Sequence, residues 1–310
     1  MVRRTHPTGL SHLKLVAEAG GEGLKTWFNL GPRRESARMI SPLENPGYVD
    51  PRTLQRLDQF VMDLKQRLLE ILQIGSGDCV LDVGCGPGTD TIAAAKLVGR
   101  HGFVVGIDYD QMMVDRANQC ARMAGVADWT VHIAADAAAL PFKANAFDIC
   151  RSERLFQHVD NGPHVLAEMV RVTRAGGKLA VADTDWCTLS IDTPEIEIER
   201  RVVSGIAGLI RNGYAGRQLF RLFKEQHLDN VQVEVYPIVW TDWNVFRATS
   251  FSITNLDKKL IESGVVTEEE LQRFMTSLDN AHRRGVFFTS GNIMLVTGNK
   301  LMSAKGEQDG

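Results

Sequence analysis

The segment Val80-Leu-Asp-Val-Gly-Cys-Gly-Pro-Gly-Thr89 carries the strongest chemical signal in the chain. An apolar run enters Gly84, Gly86 and Gly88, and a helical pattern follows at once. Glycines at a strand-to-helix junction let the backbone turn tightly and approach a ligand with no Cβ in the way. The start of the helix adds unpaired N–H groups that favour an anionic ligand group. Spacing narrows the choice of ligand. A dinucleotide fingerprint, Gly-x-Gly-x-x-Gly, needs glycine where Thr89 stands. A phosphate-cradling loop ending in Gly-Lys-Ser/Thr is absent. The pattern is instead Asp82-x-Gly84-x-Gly86-x-Gly88. Taken alone, such a run also suits a tight turn that binds nothing.

Downstream acids extend the pattern. A second apolar run ends in Gly106-Ile-Asp108, and an acid at this distance from the loop can accept hydrogen bonds from both hydroxyls of a ribose. Then follow Ala134-Ala-Asp136-Ala-Ala-Ala-Leu-Pro141-Phe142, Ala146-Phe-Asp148-Ile, and Glu168-Met-Val-Arg-Val-Thr-Arg-Ala-Gly-Gly177.

In this order and spacing the set resembles the class I S-adenosylmethionine-dependent methyltransferases, whose first motif reads (Asp/Glu)-x-Gly-x-Gly-x-Gly. The resemblance spans roughly residues 50–185 and, more loosely, the strands to 300. It is greatest to the ubiquinone and menaquinone C-methyltransferases and the small-molecule methyltransferases of secondary metabolism. It implies S-adenosylmethionine as cofactor. Asp82 would meet its amino group, and Gly84, Cys85, Gly86, Pro87 and Gly88 would lie along its methionine half. Asp108, with Tyr109 beside it, falls at the ribose, and Met113 against the adenine. Asp136 falls at the adenine amino group, with the Ala137 N–H facing the ring. Ala135 stands where the family carries glycine, and Arg151 is grouped with the cofactor residues. No Asn-Pro-Pro-Tyr type motif follows the fourth strand, which argues against DNA adenine methylation.

Methyl transfer from sulfur is an in-line displacement, so placement and exclusion of water are the protein's main tasks. A base is needed only where the acceptor must lose a proton. The acceptor should meet the loops beyond the carboxyl ends of strands four and five. After strand four stand Arg151-Ser-Glu-Arg-Leu-Phe-Gln-His158. His158, with an ordinary pKa near neutrality, is the leading candidate base; capping of the loop or contact with the cofactor is the other reading. Glu153 either takes part in catalysis or holds Arg151 or Arg154 in an ion pair. Asp183 and Asp185 are substrate hydrogen-bond acceptors or turn formers. Phe156, Trp186, Trp240, Trp243, Phe246 and Phe251 could wall an apolar acceptor pocket or form core. The Trp27-Phe28 pair could fold over the same mouth or serve a subunit contact. The apolar character of these additions points to a lipophilic or aromatic acceptor, methylated at carbon or oxygen.

The elements that must position these residues alternate. Helical periodicity runs from Asp50 to Gln73, and a short helix is expected over Ser11–Ala19. Strands are expected at Cys79–Val83, Gly102–Ile107, Trp129–Ala134, from Phe147, and at Lys178–Ala182, separated by helices. Ala175-Gly176-Gly177 reads as a turn. Extra helices follow at Glu195–Arg211 and Arg217–Glu225, then strands at Val231–Trp240 and Asn292–Thr297. Thr267-x-x-Glu270 reads as a capping box. The expected architecture is an α/β, doubly wound, Rossmann-like sheet of seven mostly parallel strands. It carries an N-terminal extension over 1–49, a methyltransferase domain over 50–300 with helical lid insertions near 190–214 and 241–290, and a tail over 301–310.

The 310 residues are 44% hydrophobic and 24% charged, with a net charge of -3. That balance gives no footprint for nucleic acid or an anionic membrane. The five cysteines form no Cys-x-x-Cys pair, so neither a disulfide framework nor a zinc site is expected. No run approaches a membrane span and no signal peptide is apparent, so a cytoplasmic protein is expected, with self-association left open.

Overall fold

A computed structural model describes residues 61–249 and 255–302. The expected helix over 11–19, the Trp27-Phe28 pair, Phe251 and the first part of the helix beginning near Asp50 lie outside the described residues.

Helix α1 (Met62–Leu72) precedes the sheet. Then come β1 (Cys79–Val83), α2 (Thr89–Val98), β2 (Phe103–Asp108), α3 (Gln111–Met123), β3 (Thr130–Ala134), β4 (Phe147–Glu153), α4 (Gly162–Val172) and β5 (Thr173–Ile191). Helices α5 (Ile196–Leu209) and α6 (Ala215–Glu225) lead to β6 (Asp229–Trp240). Helices α7 (Trp243–Thr249), α8 (Leu256–Glu262) and α9 (Glu268–Arg283) precede β7 (Thr289–Asn299). The strands form one sheet in the order β3-β2-β1-β4-β5-β7-β6. The first five are parallel, and β7 runs antiparallel to both β5 and β6. The order reverses between β1 and β4, which opens a crevice beyond their carboxyl ends.

Local chemistry sets the helix starts. Asp110 caps α3 by accepting from the Met112 N–H, and Asn161 caps α4 by accepting from His164 N–H. Thr267 and Glu270 form a reciprocal capping box on α9. Both sheet faces are covered. Phe142, Phe147, Leu166, Met169, Leu219 and Phe223 fill one side, and Leu64, Leu68, Val98, Ala121 and Leu295 fill the other.

Strand β5 is far longer than the segment Lys178–Ala182 that its sequence marks. It extends because β7 pairs with it antiparallel from Lys178 to Ile191, with a register shift between Asp185 and Ser190. Polar residues such as Thr184 and Asp185 thus gain backbone partners that hydropathy does not reveal. The Ala175-Gly176-Gly177 turn becomes an irregularity at the start of the strand. Gly176 takes φ +71, and a Cβ on Gly177 would stand 2.7 Å from the Asp148 carbonyl.

The aromatic stripe after β6 is core. Trp240, Trp243 and Phe246 pack with Phe274, Leu278 and Phe287 in a separate cluster built by the end of β5 and helices α5, α7, α8 and α9. Trp240 and Phe246 meet edge to face at 5.2 Å, and the Trp243 Nε1–H donates to Asp279 at 2.7 Å. The expectation that these three rings wall the crevice is therefore corrected: their apolar area is consumed in joining the insertions to the sheet. Phe246→Ala should cost about 3–5 kcal/mol of stability by denaturant unfolding, while affinity for S-adenosylhomocysteine, measured by calorimetry, stays at the wild-type value.

Candidate functional site

The crevice at the switch point encloses about 520 Å³, within the ordinary range for a small-ligand site. Its floor is the glycine loop. The N–H groups of Gly84 and Cys85 both donate to the Ile107 carbonyl at 2.8 Å, and that of Gly86 donates to the Asp108 carboxylate at 2.8 Å. The loop after β1 is thereby fastened to the end of β2. Gly84 takes φ +79, and a Cβ there would press on Leu155 at 3.1 Å. Gly88 serves a different purpose. It takes φ +85, a Cβ on it would stand 2.8 Å from the Ala117 Cβ, and it does not line the crevice. Its smallness lets α2 and α3 approach over His132. The ring of His132 bonds Thr91 at 2.6 Å, and Thr91 donates to the Gly88 carbonyl. Burial lowers the His132 pKa to about 4, so this link is neutral.

Asp108 lines the crevice. Its second oxygen accepts from the Asp110 N–H at 3.0 Å. A carboxylate has about four acceptor positions, and with the Tyr109 N–H also directed at it the remainder is open to a ligand. Burial raises its pKa, and the N–H bonds from Asp110 and Gly86 work against that rise. Tyr109, Met113, Ala135, Asp136 and Ala137 lie along the same wall, with Cys85 and Pro87 on the loop below. Asp136 accepts from the Ala138 N–H at 2.9 Å, an Asx turn that fixes its carboxylate at the crevice edge.

At the other end Asp82 sits above a buried ion cluster. Arg151, only 2% exposed, reaches Asp82 at 3.3 Å, Asp90 at 3.0 Å and Glu153 at 3.0 Å. Lys65 of α1 adds ion pairs to Asp90 at 2.6 Å and to Glu153 at 3.2 Å. Burial pushes the Asp82 carboxyl up to about 6, with Arg151 opposing the rise. Burial would raise Asp90 as well, but Arg151 and Lys65 hold it well below the usual carboxylate range. Burial works against the Arg151 charge, and its carboxylate partners keep it protonated. Arg151 does not line the crevice. Its grouping with the cofactor contacts is corrected: its guanidinium is spent on the acids beneath, and it positions Asp82. Glu153 lines the crevice, yet it holds Arg151, Arg154 and Lys65, the ion-pair arm of the two readings.

The loop after β4 forms the opposite wall. Arg154 takes a left-handed φ of +55, unusual for a residue with a side chain. His158 lines the crevice, and its Nδ1 is buried with no hydrogen-bond partner. Burial, with help from the charges of Arg154 and Arg211, lowers its pKa to about 4. The ring is neutral at pH 7, a weaker base than its unperturbed value suggests. Asp183 is fully buried and does not line the crevice. It accepts from the N–H groups of Phe156 at 2.6 Å, Gln157 at 3.3 Å and Thr184 at 2.8 Å. Of its two readings, substrate acceptor or turn former, Asp183 takes the second: it clamps the turn that presents His158, and its place among the catalytic candidates is corrected. Phe156 is buried in the core, and Trp186 spends its Nε1–H on Gln157 at 2.6 Å; neither lines the crevice.

Sequence reasoning missed Lys65, Asp90 and Arg211 as crevice residues. Asp90, in the first turn of α2, carried a local signal in its place beside the helix N-terminus. Lys65 and Arg211 enter from elements far along the chain and carried none. Among the described residues no cluster of side chains could hold a metal ion, and no helix is long and apolar enough to cross a membrane.

A mostly parallel sheet with a glycine loop at its switch point, a carboxylate at the end of β2 and a buried acid before the loop has the layout of a nucleoside-binding α/β domain. A family profile described as "Methyltransferase domain" matches residues 74–236. The chain belongs to that methyltransferase family. It is 39% identical over 159 residues, 51% of this chain and 45% of the other, to an uncharacterized 37.1 kDa protein of transposon Tn4556 from Streptomyces fradiae. It is 35% identical over 137 residues to a 27-O-demethylrifamycin SV methyltransferase of Amycolatopsis mediterranei, covering 44% of this chain and 49% of that one. The matched segments thus span about half the length of these relatives. The fold resembles that of a methyltransferase structure from Bacillus halodurans, described as putative, with TM-score 0.55 at 17% identity, covering 77% of this chain and 99% of that one.

Arg151→Met leaves the carboxylates of Asp82, Asp90 and Glu153 short of a partner, with Asp82 buried. It should destabilise the fold by about 3–5 kcal/mol in denaturant unfolding, and a loss under 1 kcal/mol would contradict the cluster's role. Asp183 gives a pH signature. Burial pushes its pKa from 3.8 to about 7, so between those values the folded chain holds a proton that the unfolded chain has released. Stability from this group should therefore fall as pH rises from about 4 to about 7. Denaturant unfolding of Asp183→Asn across that range should lack this component relative to wild type.

Proposed function

We propose that the chain transfers the methyl group of S-adenosylmethionine to a small lipophilic or aromatic metabolite, at carbon or oxygen. The observation that carries this reading is the Asp108 carboxylate. It is braced by the Gly86, Tyr109 and Asp110 N–H groups and lines the crevice with acceptor capacity left for a ligand. That arrangement fits the two hydroxyls of a ribose. Asp82, buried and aligned by Arg151, fits an ammonium group. Asp136 and Met113 fit the polar edge and the face of a base. When bound, the cofactor supplies an electrophilic methyl group on a positively charged sulfur.

The chain's own residues then orient and shield. The loop from Gly84 to Pro87 brings the backbone close with no bulk in the way. Leu155, Val159 and Val165 line the crevice with apolar surface and exclude water. The neutral ring of His158 lines the crevice, where it can take a proton from an acidic hydroxyl. The chain's similarity to a methyltransferase acting on a demethylrifamycin supports a secondary-metabolite acceptor.

Two measurements check this reading. Calorimetry should show S-adenosylhomocysteine binding, and Asp108→Asn should weaken it by about 10- to 100-fold, the effect of one charged hydrogen-bond acceptor. Incubation with methyl-labelled cofactor and a panel of hydroxylated aromatics and quinols should give labelled product. No affinity for the cofactor overturns the reading. Affinity without transfer across the panel favours a protein of this fold that binds the cofactor for another end, such as a cyclase-like reaction.

A further inference from the structure

We propose that the acceptor carries an acidic oxygen group, a carboxylate or phosphate, gripped by Arg211 on the wall that also holds Arg154 and His158. The proposal rests on the methyl-transfer reading and adds the substrate class to it. Charge is divided across the crevice. Asp82, Asp90, Asp108, Asp110 and Asp136 all belong to the side built by β1, β2 and β3, which suits a cationic nucleoside. Arg154 and Arg211 stand on the other side, where Glu153 holds Arg154 at 3.1 Å and Asp160 holds Arg211 at 2.8 Å.

Arg211 is pre-positioned by its backbone. It lies in the turn between α5 and α6. The next residue, Asn212, donates its N–H to the Gln157 carbonyl at 3.1 Å, and Gly213 accepts from the Trp186 N–H at 2.9 Å. The Trp186 ring in turn holds the Gln157 side chain at 2.6 Å. The turn is thus stapled between β5 and the segment carrying His158, and the insertion expected as a lid delivers a guanidinium to the crevice wall.

The partner of Arg211 is weakly committed. Asp160 is 79% exposed at its side chain, and Arg211 itself 32%. Ion pairs of that exposure contribute little, so a planar oxyanion can replace Asp160 at small cost and accept the guanidinium fork in two parallel bonds. His158 lines the crevice on this same wall, so a ligand held by an acidic group at Arg211 lies alongside its ring.

The experiment titrates the full chain, saturated with S-adenosylhomocysteine, with three probes: 3-hydroxy-2-naphthoate, 1-naphthyl phosphate and the neutral methyl 3-hydroxy-2-naphthoate. At least one acidic probe should bind about tenfold or more tightly than the ester, and the stronger of the two identifies carboxylate or phosphate as the source. Arg211→Gln should erase the preference and Arg211→Lys should keep part of it. Asp160→Asn should tighten the acidic probe about threefold by removing the competing carboxylate, leaving the ester unchanged. Affinity for S-adenosylhomocysteine should remain within about twofold of wild type in all three variants, since none of them alters the walls assigned to the cofactor. Equal affinity for acid and ester, absence of binding by all three probes, or a preference that survives Arg211→Gln overturns the proposal. If wild type fails to bind S-adenosylhomocysteine, the methyl-transfer reading falls and this proposal with it. If it binds the cofactor product but does not distinguish the probes, only this proposal falls.

Discussion

A positive charge lies buried on the fourth strand, at the centre of the sheet, and the crevice is organised around it. Arg151 on β4 is paired in register with Asp82 on β1. An uncompensated guanidinium at that depth would be prohibitively costly. The sequence answers with Asp82 from the neighbouring strand, Asp90 from the first turn of α2 and Glu153 two residues along the same strand. Lys65, reaching in from α1, and Arg154 then offset the remaining negative charge. This cluster ties together a helix that precedes the sheet, the strand before the glycine loop, the helix after it and the strand facing it. The same ion pairs that satisfy the buried charge also fix the direction of the Asp82 carboxylate. Stability and ligand placement are therefore coupled through one set of contacts.

Three glycines in a row of seven residues look alike in sequence and act differently in space. Gly84 and Gly86 shape the loop surface that a ligand meets, the latter by giving its N–H to Asp108. Gly88 answers to the approach of two helices above a buried histidine. Gly106 on β2 shares that constraint, since a Cβ there would stand 2.5 Å from the His132 ring and 2.8 Å from the Cys85 sulfur. Cys85 itself is buried, with its thiol pKa raised by desolvation, so it is a packing residue of low nucleophilicity.

Much of this was legible because the signals are local. The alternation of apolar runs and helical periods gave the strand and helix order, and the spacing of Asp82, the glycines and Asp108 gave one wall of the crevice. Capping at Thr267 and Glu270 was visible because the rule spans only four residues. The length of β5 was not legible, because its second half is stabilised by antiparallel pairing with a strand about one hundred residues downstream. Trp240, Trp243 and Phe246 fitted a pocket or a core by composition, core being the commoner fate of such a stripe, and the packing of α5, α7 and α9 around them decides for core. Lys65 and Arg211 reach the crevice through the tertiary arrangement of α1 and of the turn after α5. Nothing in their immediate sequence marks them among 35 basic residues.

On the proposed reading, the wall after β4 relies on placement rather than on strong acid–base chemistry. Asp183 gathers three backbone N–H groups and so holds the turn from Phe156 to His158 rigid, even though burial brings its own pKa near neutrality. The imidazole it presents is kept neutral by desolvation and by two nearby guanidiniums. A ring so disposed is a poor base for a reluctant proton and a good hydrogen-bond partner for an acidic one. The positive charges that weaken His158 as a base also stabilise an anion beside it, since one electrostatic field produces both effects. On the proposed reading, an acceptor that brings its own acidity therefore suits this wall better than a neutral alcohol, whose proton the ring would bind too weakly to help.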